Sequence, residues 1–219
     1  MNKYQAVIFD LDGTLADSLA DIADAMNRTL QHHGFPVHDH NAYKYFVGKG
    51  LKNLTIETLP EDNRDDETIE NCFNYLMTNY RQNYLVKTKL YDGIAGLLDW
   101  LTENGLRMAI LSNKADEIVR PICRELLNDW SFDVILGVSE QFPRKPAPDA
   151  ALHIAKKWGI STQHILYLGD SGIDMQTARA AGMEAVGVTW GFRTEQELRE
   201  NGAHRIIHSP MQLSNHIYF

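Results

Sequence analysis

The chain has 219 residues, of which 44% are hydrophobic and 23% are charged, and its formal net charge at pH 7 is −8. This composition is typical of a folded globular protein and excludes a fibrous or disordered chain. The negative charge argues against general binding to nucleic acid, and no apolar run approaches a membrane span, so we expect neither as a partner.

The first predicted element is a short apolar run, Ala6 to Phe9, which ends at the polar turn Asp10-Leu11-Asp12-Gly13-Thr14. An apolar run of this length indicates a buried strand. The turn after it is a typical strand ending, because Gly and Asp favour turns. The strand therefore presents polar groups at its carboxyl end.

A helical segment follows, from about Asp17 to Lys87, and it contains no strand-like run. Two apolar faces recur in it at the spacing of a helix. Their residues are Leu19, Ile22, Ala23, Met26 and Leu30 in the first, and Ile69, Cys72, Phe73, Leu76, Met77 and Tyr80 in the second. We therefore expect residues 18–87 to form an inserted all-helical domain.

Four further apolar runs follow, and helical patterns separate them. The runs are Met108 to Leu111, Val134 to Leu136, Ile165 to Leu168 and Ala185 to Val188. Strands that alternate with helices predict a parallel α/β sheet, which residues 1–17 and 88–219 would form together. Such sheets bind ligands beyond the carboxyl ends of their strands, where Asp10, Ser112 and Asp170 lie.

Asp10 and Asp12 stand two residues apart at the end of a buried strand. Like charges at close range destabilise each other unless a proton or a cation intervenes. In an extended chain both side chains can face one cleft, and Gly13 lets the backbone turn sharply after them. The pair therefore suggests a divalent metal site, although an Asp-Gly pair alone is more typical of a simple turn.

Four segments occur in matching order at these strand ends: Asp10-Leu11-Asp12-Gly13-Thr14-Leu15, Ser112, Lys145-Pro146 and Gly169-Asp170-Ser171-Gly172-Ile173-Asp174. Together they resemble the four motifs of the haloacid dehalogenase superfamily, and the resemblance covers essentially the whole chain. Asp17-Ser18 and Val47-Gly48-Lys49-Gly50 are similar to the phosphoglycolate phosphatase-like group. The resemblance implies a Rossmann-like parallel sheet core with an inserted helical cap domain.

It also implies a reaction and roles for named residues. Asp10 would attack phosphorus and form an aspartyl-phosphate intermediate, with Asp12 acting first as acid and then as base. Lys145 would neutralise the phosphoryl group. Ser112, Thr14 and the backbone near Leu11 and Asn113 would assist. Independently of the resemblance, Lys49 is a candidate to contact a carboxylate of the substrate, because Gly48 and Gly50 flank it; the alternative is an exposed loop lysine.

The cofactor that the resemblance implies is Mg²⁺. Its ligands would be the side chains of Asp10 and Asp170 and the backbone carbonyl of Asp12. Asp174 would bind through a water molecule or support the direct ligands, and it also suits the first turn of a helix, where an acidic side chain interacts favourably with the helix dipole. Oxygen ligands are those that Mg²⁺ prefers.

The expected substrate is a small phosphorylated metabolite, foremost phosphoglycolate. Two other activities share part of the machinery: a phosphomutase of the β-phosphoglucomutase type, and a phosphonate hydrolase that forms an imine on Lys49 or Lys52. A non-catalytic phosphate-binding regulator is a further alternative. Trp190-Gly191-Phe192 follows the last predicted strand, in a position that would flank the site.

The cellular location is predicted from the N-terminus and the cysteines. The apolar residues after Met1 are too few for a signal-peptide core. Cys72 and Cys123 are far apart and lack metal-like spacing. We therefore expect a cytoplasmic protein with reduced thiols. The sequence gives no indication of an oligomeric state.

Overall fold

The computed structural model describes residues 3–217, which form two compact units. The first unit contains the chain up to Asp17 and from Leu90 onward, and the second unit is Ser18–Lys89. Within the described residues, no helix combines the length and apolar character that a membrane crossing requires.

The first unit is built on a six-stranded parallel sheet. The strands of the chain are β1 (Ala6–Phe9), β2 (Ala16–Asp17), β3 (Lys89–Leu90), β4 (Arg107–Ala115), β5 (Val134–Val138), β6 (Ile165–Gly169), β7 (Glu184–Val188) and β8 (Arg205–Ile207). The strand order in the sheet is β5-β4-β1-β6-β7-β8. Ala6 of β1 lies opposite Arg107 on one side and Ile165 on the other. The prediction of a parallel α/β sheet is confirmed.

The helices alternate with the strands in the first unit and make up most of the second. They are α1 (Leu19–His32), α2 (Tyr43–Phe46), α3 (Leu51–Thr58), α4 (Asp66–Asn83), α5 (Ile94–Glu103), α6 (Asp116–Leu126), α7 (Asp149–Trp158), α8 (Gly172–Ala180), α9 (Glu195–Glu200) and α10 (Ser214–Ile217). In the second unit α4 packs against α1 and α3. The second unit is therefore largely helical, and the bounds predicted for the inserted domain, residues 18–87, stay a prediction.

The central strand β1 shows why this sheet forms. All four of its side chains are fully buried, which is typical of a parallel strand covered by helices on both faces. Ala6 and Ile8 belong to a core cluster that includes Ile154 of α7 and Met175 of α8. Because this core fixes the strands, their carboxyl ends meet at one edge of the sheet.

Four strands differ from the prediction: β4 is longer, and the two-residue strands β2 and β3 and the edge strand β8 were not predicted. Strand β4 continues through Ala115, so Ser112 lies within the strand and not after it. Its ladder with β5 is irregular between Leu111 and Ala115, which lets polar residues follow the apolar run without ending the strand. The edge strand β8 was not predicted, because it has three residues and only Ile207 is buried.

In the second unit, the carboxylate of Asp21 joins α1 to the chain after α4. It accepts hydrogen bonds from the backbone N–H of Lys87 at 2.9 and 3.0 Å and of Thr88 at 2.8 Å. The Thr88 hydroxyl donates a further bond at 2.7 Å. Asp21 is only 3% exposed. This buried carboxylate therefore satisfies donors that have no strand or helix partner at that point.

Candidate active site

Polar side chains collect at the carboxyl edge of the sheet in the first unit. Asp10 directly follows β1, Ser112 lies in β4, and Asp170 directly follows β6. Strand β1 lies between β4 and β6, so these three positions come from adjacent strands. The Asp10 N–H donates to the carbonyl of Leu168 at 2.9 Å, which extends the sheet pairing to Asp10 itself.

A tight turn fixes the loop after Asp10. The Leu11 carbonyl accepts hydrogen bonds from Leu15 at 3.0 Å and Ala16 at 2.9 Å, and Gly13 has a φ of 87°. Thr14 is fully buried, and its hydroxyl has no hydrogen-bond partner within the described part of the chain. The turn therefore holds Asp10 and Asp12 on a short, ordered segment.

The ammonium of Lys145 lies between two carboxylates. Its Nζ is 2.7 Å from Oδ1 of Asp10 and 2.7 Å from Oδ1 of Asp174. Burial lowers the pKa of Lys145, but Asp10 and Asp174 outweigh that effect and hold the pKa well above its usual range. Lys145 is therefore a permanent positive charge at the site.

The other oxygen of Asp174 caps helix α8. Oδ2 of Asp174 accepts hydrogen bonds from the Ser171 hydroxyl at 2.6 Å and the Ser171 N–H at 3.2 Å. Gly169 makes room for this arrangement, because a Cβ at that position would lie 2.2 Å from the Cβ of Asp174. The same carboxylate thus stabilises the helix start and faces the site.

The carboxylate of Asp170 is held by two glycines and one backbone donor. Its Oδ2 accepts a hydrogen bond from the Phe192 N–H at 2.7 Å. A Cβ on Gly191 would lie 2.3 Å from the Cβ of Asp170, and Gly13 approaches from another direction. Trp190 donates its indole N–H to the Thr14 carbonyl at 3.0 Å. The Trp190-Gly191-Phe192 segment therefore lies against the site, as its place after the last predicted strand suggested.

Asp12 pairs with Lys114, a residue that none of the sequence motifs indicated. The two charged atoms are 2.6 Å apart, and the side chains are 13% and 2% exposed. The one indication of this pair in the sequence was the position of Lys114, directly after Ser112 and Asn113 at the end of an apolar strand. The acidic residues of the loop therefore have two lysine partners, Lys114 and Lys145.

Asn113 ties strand β4 to the segment that carries Lys145. Its Oδ1 accepts a hydrogen bond from the Lys145 N–H at 2.9 Å, and its Nδ2 donates to the Lys145 carbonyl at 3.1 Å. Ser112 is buried, and its hydroxyl accepts a bond from the Lys114 N–H at 3.1 Å. Strand β4 thus contributes three consecutive residues to the site: Ser112 contacts the Lys114 backbone, Asn113 binds the Lys145 backbone, and Lys114 pairs with Asp12.

The donor set at this edge fits a hard divalent cation. Asp10, Asp170 and Asp174 each offer an oxygen within 4.8 Å of the others, and all three are buried. Burial raises the pKa of Asp10 to about 7, and burial together with Asp10 and Asp174 raises the pKa of Asp170 well above its usual range. With Asp12, the site holds four carboxyl groups, and in the described part of the chain Lys114 and Lys145 are the lysines that pair with them. A divalent cation would offset the negative charge that remains.

The first unit thus contains all but one of the residues predicted for the site: Asp10, Asp12, Thr14, Ser112, Asn113, Lys145, Asp170 and Asp174. The exception is Lys49, which belongs to the second unit. Its Nζ lies 3.4 Å from Oε1 of Glu57, and its side chain is 59% exposed. Its contact with a substrate stays a prediction.

The chain is similar to known proteins over most of its length. A family model described as haloacid dehalogenase-like hydrolase matches residues 7–188. A phosphoglycolate phosphatase from Pseudomonas putida is 34% identical over 190 residues, which cover 85% of this chain and 70% of that protein. One from Colwellia psychrerythraea is 32% identical over 208 residues, which cover 92% of each. A crystal structure from Lactobacillus delbrueckii subsp. bulgaricus, provisionally assigned as a phosphoglycolate phosphatase, has a TM-score of 0.92 and 30% identity, and the match covers 100% of this chain and 99% of that one.

Proposed function

The chain belongs to the haloacid dehalogenase-like hydrolases and is a phosphatase, and from this premise we propose that it hydrolyses a phosphomonoester through a phosphorylated Asp10, with Mg²⁺ as cofactor. The observation that carries the proposal is the position of Lys145. Its ammonium contacts Asp10 and Asp174 at 2.7 Å each, at the edge where Asp170 also lies. This group of charges suits the transfer of a phosphoryl group to a carboxylate.

The reaction has two halves. In the first, an oxygen of Asp10 attacks phosphorus, the bond from phosphorus to the substrate oxygen breaks, and Asp12 gives that oxygen a proton. In the second, Asp12 takes a proton from water while the water oxygen attacks phosphorus and the bond from phosphorus to Asp10 breaks. Inorganic phosphate leaves, and the Asp10 carboxylate is regenerated.

The remaining side chains stabilise charge and fix positions. Lys145 would neutralise the phosphoryl oxygens, and Ser112 would donate its hydroxyl hydrogen to one of them. The backbone N–H groups near Leu11 and Asn113 would act as further donors. Thr14 would support the loop of the nucleophile from its buried position.

The buried carboxylates would hold Mg²⁺. Asp10, Asp170 and the backbone carbonyl of Asp12 would be ligands, and Asp174 would bind through a water molecule or support the direct ligands. When bound, the ion supplies positive charge to the carboxylates and to the phosphoryl oxygens. The support for this cofactor is the buried set of oxygen donors, whose charge the two lysines balance only in part.

We propose phosphoglycolate as the substrate, because relatives over nearly the full chain are phosphoglycolate phosphatases. Its carboxylate would need a cation away from Asp10, and Lys49 is our candidate. Gly48 and Gly50 flank Lys49, both with positive φ, which allows the backbone to approach a ligand closely. A cytoplasmic location belongs to the same proposal and is supported by two unpaired cysteines, Cys72 and Cys123.

A panel assay tests this function. Purified protein is incubated with phosphoglycolate, β-glucose 1-phosphate or 4-nitrophenyl phosphate, with Mg²⁺ or with excess chelator, and phosphate release is measured. We expect Mg²⁺-dependent release, fastest from phosphoglycolate, and recovery of activity when Mg²⁺ is restored. Isomerisation of the sugar phosphate in place of phosphate release would indicate a mutase. No turnover of any compound would indicate a phosphate-binding regulator.

A further inference from the structure

Lys114 is the buried charged residue at the site that the proposed reaction leaves without a role. Its Nζ lies 2.6 Å from Oδ1 of Asp12, and its side chain is 2% exposed. A lysine this deeply buried loses the hydration of its ammonium, which a nearby carboxylate must offset. The carboxylate of Asp12 in its observed position therefore offsets the lost hydration of the Lys114 ammonium.

The backbone on both sides of Lys114 is fixed. Its N–H donates to the Ser112 hydroxyl at 3.1 Å. Its carbonyl is closely packed against Gly137 of β5, where a Cβ would lie 2.7 Å from the carbonyl oxygen. Helix α6 begins two residues later, at Asp116. The ammonium is thus supported by an ordered strand end and not by a flexible loop.

A merely structural ion pair is the simplest alternative. Buried ion pairs, however, are often no more stabilising than apolar side chains of similar size, so stability alone gives little reason for a charge at this position. Lys114 also pairs with the carboxylate that the reaction requires as acid and base. That choice of partner points to a function in the reaction.

We propose that Lys114 is a positioning residue that holds the Asp12 carboxylate in its working orientation. The inference rests on the proposed function. It concerns chiefly the second half of the reaction, in which Asp12 takes a proton from water while the bond from phosphorus to Asp10 breaks. Without Lys114 the carboxylate of Asp12 would turn to another rotamer, and the phosphorylated enzyme would be hydrolysed slowly.

The choice of substrate separates positioning from a general structural role. The leaving group of 4-nitrophenyl phosphate departs without a proton, so phosphorylation of Asp10 hardly depends on Asp12. Hydrolysis of the phosphorylated enzyme does depend on it. A misplaced Asp12 should therefore make phosphorylated enzyme accumulate, whereas general damage to the site would slow both steps.

The test is rapid acid quenching of the enzyme with Mg²⁺ and 4-nitrophenyl phosphate, followed by mass spectrometry of the Asp10 peptide. Wild type is compared with Lys114→Met, Lys114→Gln and Lys114→Arg. Arg120→Met is the matched control, because it breaks the exposed pair of Arg120 with Asp116 in the adjacent helix. Thermal melting identifies the variants that are folded, and Lys114→Gln replaces Lys114→Met if the latter is not.

We expect Lys114→Met to slow hydrolysis of the phosphorylated enzyme by roughly 10- to 100-fold, which is less than the full contribution of a general base, about 100- to 10,000-fold, because Asp12 itself is retained. Phosphorylation should stay near the wild-type rate, Lys114→Arg should recover part of the loss, and Arg120→Met should match wild type. Equal loss of both steps, or loss of neither, would overturn the inference. So would a crystal structure of Lys114→Met with Asp12 in the wild-type orientation. If wild type never carries phosphate on Asp10, the proposed function fails and the inference falls with it.

Discussion

A Cβ atom on Gly13 would lie 2.2 Å from Oδ2 of Asp170, so the loop after the nucleophile and the predicted metal ligand are packed in direct contact. The φ of Gly13 is 87°, which L side chains rarely adopt. Replacement of Gly13 should therefore displace Asp170 as well as strain the loop.

Gly13→Ala should weaken Mg²⁺ binding and destabilise the fold more than Gly105→Ala does. Gly105 also has a positive φ, but a Cβ there would have no neighbour within 4 Å. We expect a loss of about 1 kcal/mol for Gly105→Ala from backbone strain, and roughly 1–3 kcal/mol more for Gly13→Ala from overpacking. Urea unfolding and calorimetric Mg²⁺ titration measure both effects. Equal results for the two variants would contradict the close contact between Gly13 and Asp170.

Asp10→Asn should abolish turnover and leave the protein folded. The amide is nearly the same size as the carboxylate but is not a useful nucleophile. The measurement is Mg²⁺-dependent phosphate release from 4-nitrophenyl phosphate, with circular dichroism as the check on folding. A folded variant that kept more than about a thousandth of the wild-type rate would be incompatible with covalent catalysis by Asp10.

The raised pKa of Asp10 makes the metal-free protein less stable as the pH rises. The pKa of Asp10 is about 7 in the folded protein against 3.8 for an unperturbed group, so the folded state binds the proton more tightly. The stability linked to that proton is present below about pH 4 and is lost as pH rises to about 7, by up to about 1.4 kcal/mol per unit.

Chemical unfolding of wild type and Asp10→Asn in chelator, from pH 5 to pH 8, measures this contribution as the difference between their slopes. Mg²⁺ binding requires ionised carboxylates, so Mg²⁺ should stabilise wild type more at pH 8 than at pH 5. If the stability of wild type instead rose relative to that of Asp10→Asn between pH 5 and pH 7, the result would contradict a raised pKa of Asp10 in the folded protein.

Asp21→Ala should destabilise the helical unit much more than Asp24→Ala. Loss of the Asp21 carboxylate leaves the N–H groups of Lys87 and Thr88 without their acceptor, at a cost of about 2–4 kcal/mol. Asp24 makes an exposed ion pair with Lys87 and an exposed contact with His40, which are each worth about 1 kcal/mol or less. Urea unfolding compares the two variants. Similar losses of unfolding free energy in the two variants would show that the buried hydrogen bonds of Asp21 stabilise the unit no more than the exposed contacts of Asp24 do.

Lys49→Ala should lower kcat/KM for phosphoglycolate by roughly ten- to a hundredfold, the effect of losing a charge-assisted contact of about 1.5–3 kcal/mol. The rate with 4-nitrophenyl phosphate should change much less. Lys52→Ala is the control, because Lys52 is also an exposed lysine of the second unit with an acidic partner, Glu70. If Lys49→Ala affects both substrates equally, or neither, Lys49 does not bind the carboxylate.

The sequence predicted the sheet well because central parallel strands are apolar on both faces. The runs at Ala6 to Phe9 and Ile165 to Leu168 have few interpretations other than buried strands. Strand β8 could not be predicted from the sequence, because a three-residue edge strand is defined by the neighbour with which it pairs. The end of β4 was missed for a related reason: polar residues in a strand resemble a loop until their partners are known.

The candidate site was predicted where short motifs carry their own chemistry. Asp10, Asp12 and Asp170 stand in distinctive segments. Lys114 gave no such indication, because a single lysine near a strand end is usually exposed, and only the fold places Nζ next to Asp12. The position of Phe192 after a predicted strand indicated that it could flank the site. Its contact with Asp170 could not be predicted, because it uses a backbone N–H, which every residue except proline possesses.

The reciprocal hydrogen bonds between Asn113 and the backbone of Lys145 have a consequence for sequence variation among related proteins. These bonds hold the backbone of Lys145 directly against β4. The position of the Lys145 ammonium therefore depends little on the segment between Val138 and Lys145. That connecting segment is therefore a place where insertions and deletions can accumulate without moving the charge. Its length should vary more among relatives than the single residue that separates Ser112 from Lys114.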